Sequence, residues 1–322
     1  MIMSAVPFAV TLFIIYRGGV LDNFWFWCFT YSGKYVSRFS LMDGISRFKT
    51  MAPRTAGHFT VFWISGVIGF FMLIYKQRQK ERLFILLFFL FSFLSVFPGF
   101  YFREHYFVLI IPAISITAAY CIEHLASAPV MKSWYKMLPI AVLLMGMLFT
   151  FTVQGELYFK LAPDEVSRKV YGLNPFVESV KIAEYLKSHA REGDRIAILG
   201  SEPQILFYSG IHSATGYIYM YGLMEDQPFN LQMQHGMTGE IEKNRPAFIV
   251  FVNIPASWLP AANAPLYIFD WATKYVAENY ILTGVVDLIY YDNIVYKFDA
   301  EALNYIPWSK CYVCIYRRKD NG

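Results

Sequence analysis

Charge is what this sequence has least of. Only 16% of its 322 residues are Asp, Glu, Lys or Arg, against about 25% in an ordinary soluble domain. With 56% of the residues hydrophobic, a bilayer is the simplest solvent for much of the chain. There is no long basic tail and no basic stripe interleaved with stacking aromatics, and the formal net charge is +4, so nucleic acid is a poor partner. Cysteine is scarce too. Cys28, Cys121, Cys311 and Cys314 make no disulfide framework, and Cys311 and Cys314, three apart in a strand-like stretch, point to opposite faces and lack the second ligand pair of a zinc site. A glycine-rich phosphate loop is missing: Gly200-Ser201-Glu202-Pro203 stands between a strand and a helix, but no Gly-x-Gly-x-x-Gly accompanies it, which argues against a nucleotide there. The polar half carries no local Ser/His/Asp motif, since His189, His212 and His235 are isolated, and each fits a surface or pocket-lining role better than catalysis. No internal repeat or low-complexity tract is present.

Long uncharged runs fill the chain before about position 153, whereas the acidic and basic residues concentrate after it. A hydrocarbon core of about 30 Å needs about 20 apolar residues in a helix. Residues 58–75 (HFTVFWISGVIGFFMLIY) and 83–102 (LFILLFFLFSFLSVFPGFYF) meet or nearly meet that length, and 106–122 and 137–153 are shorter but also free of charge. The first sixteen residues have no Lys or Arg ahead of the apolar stretch and no small-x-small cleavage site after it, so they read as a short membrane helix rather than a leader. About five spans are therefore expected in residues 1–153. Residues 20–35 (VLDNFWFWCFTYSGKY) are rich in Trp, Phe and Tyr and suit a helix or hairpin in the headgroup region.

Residues 76–82 (KQRQKER) pack four basic side chains into seven positions between two spans, which places that loop in the cytoplasm. Alternation then puts the turn at 103–105 and everything after residue 153 outside. Segment 17–55 falls on the same outer side, yet it carries Arg17, Lys34, Arg38, Arg47, Lys49 and Arg54. Either the topology is inverted or those cations have a task on the outer face; the higher basic density at 76–82 favours the second.

From residue 154 to 322 the pattern is that of a water-soluble α/β domain. Helical spacing at 175–190 precedes a buried strand at 195–199 (RIAIL), and further helices are expected at 202–208, 236–244 and 271–279. Strands are expected at 246–252, 281–286, 294–298 and 311–317. Helices alternating with short β-branched strands imply a small sheet covered by helices and of mixed strand direction near its end.

The polar turn is the most informative motif. Phe100-Tyr101-Phe102-Arg103-Glu104-His105-Tyr106-Phe107 sets ionisable residues between two apolar spans, in a turn almost too short to leave the bilayer surface. Such groups cost free energy near lipid, which makes them candidates for function; the alternative is a tight turn whose Arg and His snorkel to ordinary lipid phosphates. The run 100–112 (FYFREHYFVLIIP) resembles the Arg-x-x-His-Tyr-Phe and following Pro-containing helix late in the membrane region of GT-C type glycosyltransferases. These use polyprenyl-phosphate sugars and include protein mannosyltransferase and lipid A aminoarabinose transferase relatives. Here the matching residues are Arg103, His105, Tyr106 and Phe107, with the spacing after the Arg one residue shorter. The later part resembles the same group in its order of short motifs: a helix like 180–189, Gly-Asp-Arg-Ile at 193–196, Tyr208-Ser209-Gly210, an aromatic stretch at 217–221 and Asn244-Arg245-Pro246.

The resemblance implies a bacterial inner or plasma membrane enzyme with its C-terminal domain outside the cytoplasm. Its donor would be a polyprenyl-phosphate sugar and its acceptor a glycan, lipid or protein. Lys34, Arg38, Arg103 and His105 would gather around the donor phosphate. Family members have many more spans and a catalytic carboxylate in the first outer loop, so the chain is expected to match only their C-terminal portion. Asp22 and Asp43, the carboxylates ahead of Arg103 on the outer side, sit in no matching motif, and no catalytic base is assigned. In the family a divalent metal is one means of holding the leaving phosphate; no ligand set for it is read from this sequence. The competing expectation is a non-catalytic membrane-anchored module whose soluble domain binds a glycan or protein partner.

Overall fold

A computed structural model describes residues 2–36, 39–75, 80–127 and 133–319. The chain divides into two compact units, Met1–Lys160 and Leu161–Gly322.

The first unit is helical. Its longer helices are α1 (Ile2–Arg17), α2 (Leu41–Ala56), α3 (Thr60–Tyr75), α4 (Lys80–Leu94), α5 (Ile111–Ala126) and α6 (Leu138–Val153). Among the described residues three helical runs are long and apolar enough to cross a membrane: Leu41–Tyr75, Glu104–Ala126 and Tyr135–Val153. The first of these bends at its midpoint, because Gly57 has φ +44° and ψ −129°, outside helical space, and only the part after it is uniformly apolar. Before Gly57, α2 is amphipathic and starts on a capping box in which the Ser40 hydroxyl accepts from the Asp43 amide and the Asp43 carboxylate accepts from the Ser40 amide.

The expected 83–102 span is not one helix. α4 stops at Leu94 after 15 residues, about 22 Å at 1.5 Å per residue. Pro98 opens a separate tight turn, and Gly99 follows in the left-handed region at φ +75°, so a helix cannot run through. Segment 20–35 is helical, as Leu21–Trp25, a π-helical turn at Phe26–Tyr31 and Ser32–Val36.

α3 and α5 pack at close range through small residues. A Cβ on Gly66 would come within 2.8 Å of Ile114 Cγ2, and one on Gly69 within 1.8 Å of the Thr117 carbonyl oxygen. Ala113, Thr117 and Ala118 are buried on the facing side. Backbones approach this closely only where side chains are small, as expected of helices associating in lipid. α6 joins them at Gly146, whose Cβ would meet Val61 Cβ at 3.1 Å, and through Thr150.

The second unit is α/β. α7 (Pro163–Tyr171) and α8 (Glu178–His189) lead into β1 (Arg195–Leu199), α9 (Pro203–Ser209), β2 (His212–Ser213), α10 (Asn230–Asn244), β3 (Phe248–Asn253), α11 (Tyr267–Asn279), β4 (Tyr280–Tyr290), β5 (Asn293–Phe298), α12 (Ala300–Leu303) and β6 (Tyr312–Arg318). The sheet order is β2-β1-β3-β6-β4-β5. β1 is parallel to β2 and β3, while β6, β4 and β5 are added antiparallel. This is the mixed sheet expected from the sequence, although β4 runs longer than 281–286. One face buries Ile196, Ile198, Val250, Val252, Val286 and Ile315 against Ile182, Leu186 and Ile205 of the helices. The opposite face buries Val285, Cys314 and Ala302.

Candidate functional site

The turn between α4 and α5 is built by aromatic packing around an unusual backbone. Phe100 and Phe102 have φ +53° and +46°, a region bulky residues rarely adopt, at a cost of about 1–3 kcal/mol each. Burial of Phe102 against Phe48 and Phe97 offsets that cost: its ring meets each of theirs at 5.2 Å, edge to face. Gly44 of α2 lets the turn come close, since a Cβ there would sit 2.8 Å from Phe100 Cγ.

The residues on either side of Phe102 form the polar part. Tyr101 stacks on Tyr35 with ring centroids 4.6 Å apart and planes 12° from parallel, and meets Phe39 edge-on at 4.8 Å. Tyr35 also shares a hydrogen bond with Tyr106. On this frame lie two guanidinium groups, Arg103 at 5.3 Å from the Tyr101 ring centroid and Arg47 at 3.9 Å from that of Phe39. Both arginines are exposed, and among the described residues neither forms an ion pair. Stacking on a ring face contributes about 0.5–1 kcal/mol at exposed sites and leaves the N–H edge of the fork able to meet a phosphate or carboxylate.

Of the four residues expected around a donor phosphate, Arg103 is thus held beside the 32–36 segment. Lys34 is exposed on that same short helix, one residue before Tyr35. His105 is exposed and rests its ring on Tyr106 at 4.7 Å. Arg38 lies outside the described residues. Arg47 stood out only as one of the cations of segment 17–55 and Tyr101 only as part of the 100–107 motif; Tyr35 and Phe39 were not singled out, the aromatic richness of 20–35 pointing only to a headgroup belt. Among the described residues no three His, Cys, Asp or Glu side chains gather closely enough to hold a metal ion.

The second unit contains a buried acid. Gly200 ends β1 pressed against β3, where a Cβ would lie 2.7 Å from Val252 Cβ and 2.9 Å from Ser257 Oγ. The Ser201 amide donates to Ser257 Oγ at 2.7 Å, and the Met220 amide donates to Ser201 Oγ at 2.9 Å. Glu202, 1% exposed, accepts from Gln204 Nε2 at 2.5 Å and is also bonded to Ser257. Burial pushes its carboxyl up to about 7, against the opposing pull of those two hydrogen bonds. In the Gly200–Pro203 loop the Ser201 amide and hydroxyl and the Glu202 carboxylate are thus all bonded within the protein.

Cys311 and Cys314 are free thiols, and burial raises the pKa of each. Cys314 helps line a cleft of about 460 Å³ between α11 and the sheet, together with Phe251, Tyr305, Tyr312 and Tyr316. Among the described residues no charged side chain lines it. No family model, no curated protein and no solved structure matches the chain.

Proposed function

We propose that this chain contributes the donor side of a membrane glycosyltransferase that uses a polyprenyl-phosphate sugar at the outer face of a bacterial inner or plasma membrane. The observation that supports this most directly is the pair of arginines, Arg103 and Arg47, laid on the Tyr35/Phe39/Tyr101 frame beside a strained turn. Strain of this kind concentrates at functional sites, and cations near lipid bind anionic headgroups. The aromatic frame gives the isoprenoid tail a surface to pack on. On this reading α1 and α4 also enter the bilayer, making five membrane segments with residues 76–82 inside, and the C-terminal unit shapes access for the acceptor. No residue is assigned as the base.

The test uses the full chain in nanodiscs, with a polyprenyl phosphate as ligand and the corresponding polyprenol as its uncharged control. Wild type is expected to prefer the phosphate. Arg103→Ala should weaken binding about ten-fold, the equivalent of one charge-assisted hydrogen bond, with helix content unchanged. Equal binding of phosphate and polyprenol, or an Arg103→Ala/Arg47→Ala double variant that binds like wild type, would remove the site.

A second reading, a membrane-anchored module whose C-terminal domain binds a glycan, is favoured by one observation, the uncharged cleft walled by Tyr305, Tyr312 and Tyr316. Tyrosine rings and hydroxyls suit a neutral, ring-shaped ligand. Glycan binding that is lost in Tyr312→Ala, without any preference for polyprenyl phosphate, would select it.

A further inference from the structure

We infer that α2 lies in the plane of the bilayer surface, with Leu41 and Ile45 seated at the acyl boundary and Arg47 and Arg54 on the opposite side of the helix, at headgroup level. The run Leu41–Tyr75 has 35 residues, about 52 Å at 1.5 Å per residue, against a hydrocarbon core of about 30 Å. Residues 57–75 alone are long enough to cross that core, and they carry no Asp, Glu, Lys or Arg. α2, with Asp43, Arg47, Lys49 and Arg54, is the part left over.

Where that part goes follows from contacts inside the helical unit. Gly66 faces Ile114 and Gly69 faces Thr117, so α3 and α5 run in the same direction and begin at one end of the bundle. The Gly57 bend folds α2 onto that end. The Phe48 ring lies 6.2 Å from that of Phe107, just ahead of α5, and 6.1 Å from that of Phe93 in the last turn of α4. Phe107 in turn meets Trp63, in the first turn of α3, at 6.4 Å. On a straight helix the Cα atoms of Phe48 and Trp63 would stand about 22 Å apart, too far for one ring to meet both. α2 therefore lies across the end of the apolar bundle, at the level where the spans leave hydrocarbon.

The side chains of α2 suit that position. Leu41, Ile45, Phe48 and Ala52 fall in one row at spacings of three and four, and Asp43, Arg47, Thr50 and Arg54 fall in a second row on the opposite side of the helix. Phe48 and Ala52 pack on the aromatic cluster around Phe102 and Phe107. The same row continues past the cluster to Ile45, 42% exposed, and Leu41, 64% exposed, so an apolar surface that is covered along one half of α2 is bare along the other. Lys49 is exposed on the flank, where a long stem lets its ammonium reach the headgroups. A helix with an apolar row, an opposed cationic row and little net hydrophobicity is the kind that lies in an interface, and its cations complement anionic lipid headgroups. A protein partner would also suit Leu41 and Ile45, but the bilayer is already brought to this level by α3 and α5 of the same unit. The inference rests on the membrane reading and not on sugar transfer, since no donor phosphate enters it.

The test labels Leu41→Cys, Ile45→Cys or Thr50→Cys with a nitroxide in the full chain carrying Cys28→Ser and Cys311→Ser, Cys121 and Cys314 being buried. The protein is reconstituted in phosphatidylcholine/phosphatidylglycerol vesicles, and collisions with oxygen and with a water-soluble nickel chelate are compared. Ile64→Cys and Ile68→Cys, both exposed on α3, serve as the lipid references. Positions 41 and 45 are expected to show several-fold less nickel contact than 50 and more oxygen contact, with 64 and 68 deeper still. Nickel contact at 41 and 45 equal to that at 50, with 68 still shielded, puts α2 in water and overturns the inference alone. A depth that increases steadily through 41, 45, 50 and 64 makes α2 part of a crossing helix and overturns it too, as does shielding of 41 and 45 from both reagents, which indicates a protein partner. Nickel contact at 68 equal to that at 50 removes the membrane reading itself.

Discussion

In the helical unit helices meet at glycines that leave no room for a side chain, whereas the α/β unit buries side chains around polar groups that are satisfied inside. Gly66 and Gly69 leave no room for a methyl between α3 and α5, while Ile64, Phe71 and Leu144 remain exposed on the outside. Against lipid, apolar side chains have no reason to prefer each other, so association depends on fit and on a few hydrogen bonds. In the α/β unit, water drives burial, and polar groups caught inside must be satisfied. Gln234 shows the cost being met in full: its Nε2 donates to the Leu223 and Pro265 carbonyls at 2.9 and 2.8 Å, and its Oε1 accepts from the Ile268 amide at 3.0 Å. The difference teaches where each half is fragile, in added volume for one and in altered protonation for the other.

The largest effect that would break this contrast is expected at Gly69. Leucine there must displace the Thr117 carbonyl, which a Cβ would approach to 1.8 Å. Overpacking that only backbone movement can relieve should cost about 3 kcal/mol or more. Detergent-solubilised Gly69→Leu should melt well below wild type or emerge aggregated from size-exclusion chromatography. Gly33→Leu, where nothing lies within 4 Å of the added Cβ, should behave as wild type. Equal melting of the two variants would show that α3 and α5 do not pack as described.

Glu202 gives the matching experiment in the other unit. Its ordinary value of 4.5 is raised to about 7 in the fold. Between those values the folded chain holds a proton that the unfolded chain has released, so stability falls as pH rises through that window and levels off above it. The span corresponds to about 3 kcal/mol at most. Glu202→Gln, uncharged throughout, should lose less stability than wild type between pH 5 and pH 8, as followed by near-ultraviolet circular dichroism melts of the full chain. Parallel loss in both proteins would mean that Glu202 ionises as an ordinary exposed acid.

The sequence carried some of this and not the rest, for physical reasons. Strands at 195–199 and 294–298 and the helix ending at residue 279 were legible, because buried β-branched runs and helical spacing are local signals. Segment 83–102 is not one continuous helix: hydrophobicity alone does not register that Pro98 and Gly99 break a helix within an otherwise apolar run. Arg103 was visible as an ionisable residue between apolar segments, and Arg47 as one of the cations of segment 17–55, but not their place on one aromatic frame. That place depends on Gly44 admitting Phe100 and on Phe39 meeting Tyr101, contacts between residues about sixty apart that no spacing rule encodes. Glu202 escaped for the same reason, since its burial depends on Ser257 and on Gln204 bridging to Ser179 at 3.0 Å.

The smallest expected effect sharpens the comparison from the helical side. Thr150 is 0% exposed on α6, and its hydroxyl lies 2.7 Å from the His58 carbonyl and 3.0 Å from that of Gly146. It joins α6 to the chain just after the Gly57 bend. In water-soluble cores a buried hydroxyl with a good acceptor contributes about 1 kcal/mol, but between membrane helices the average is about 0.6 kcal/mol, because the separated helices find other partners in the bilayer. Thr150→Val should therefore lower stability by only that smaller amount in a denaturant titration of the reconstituted protein. A loss as large as that of Gly69→Leu would mean that hydrogen bonds, rather than close fit, hold the helices together.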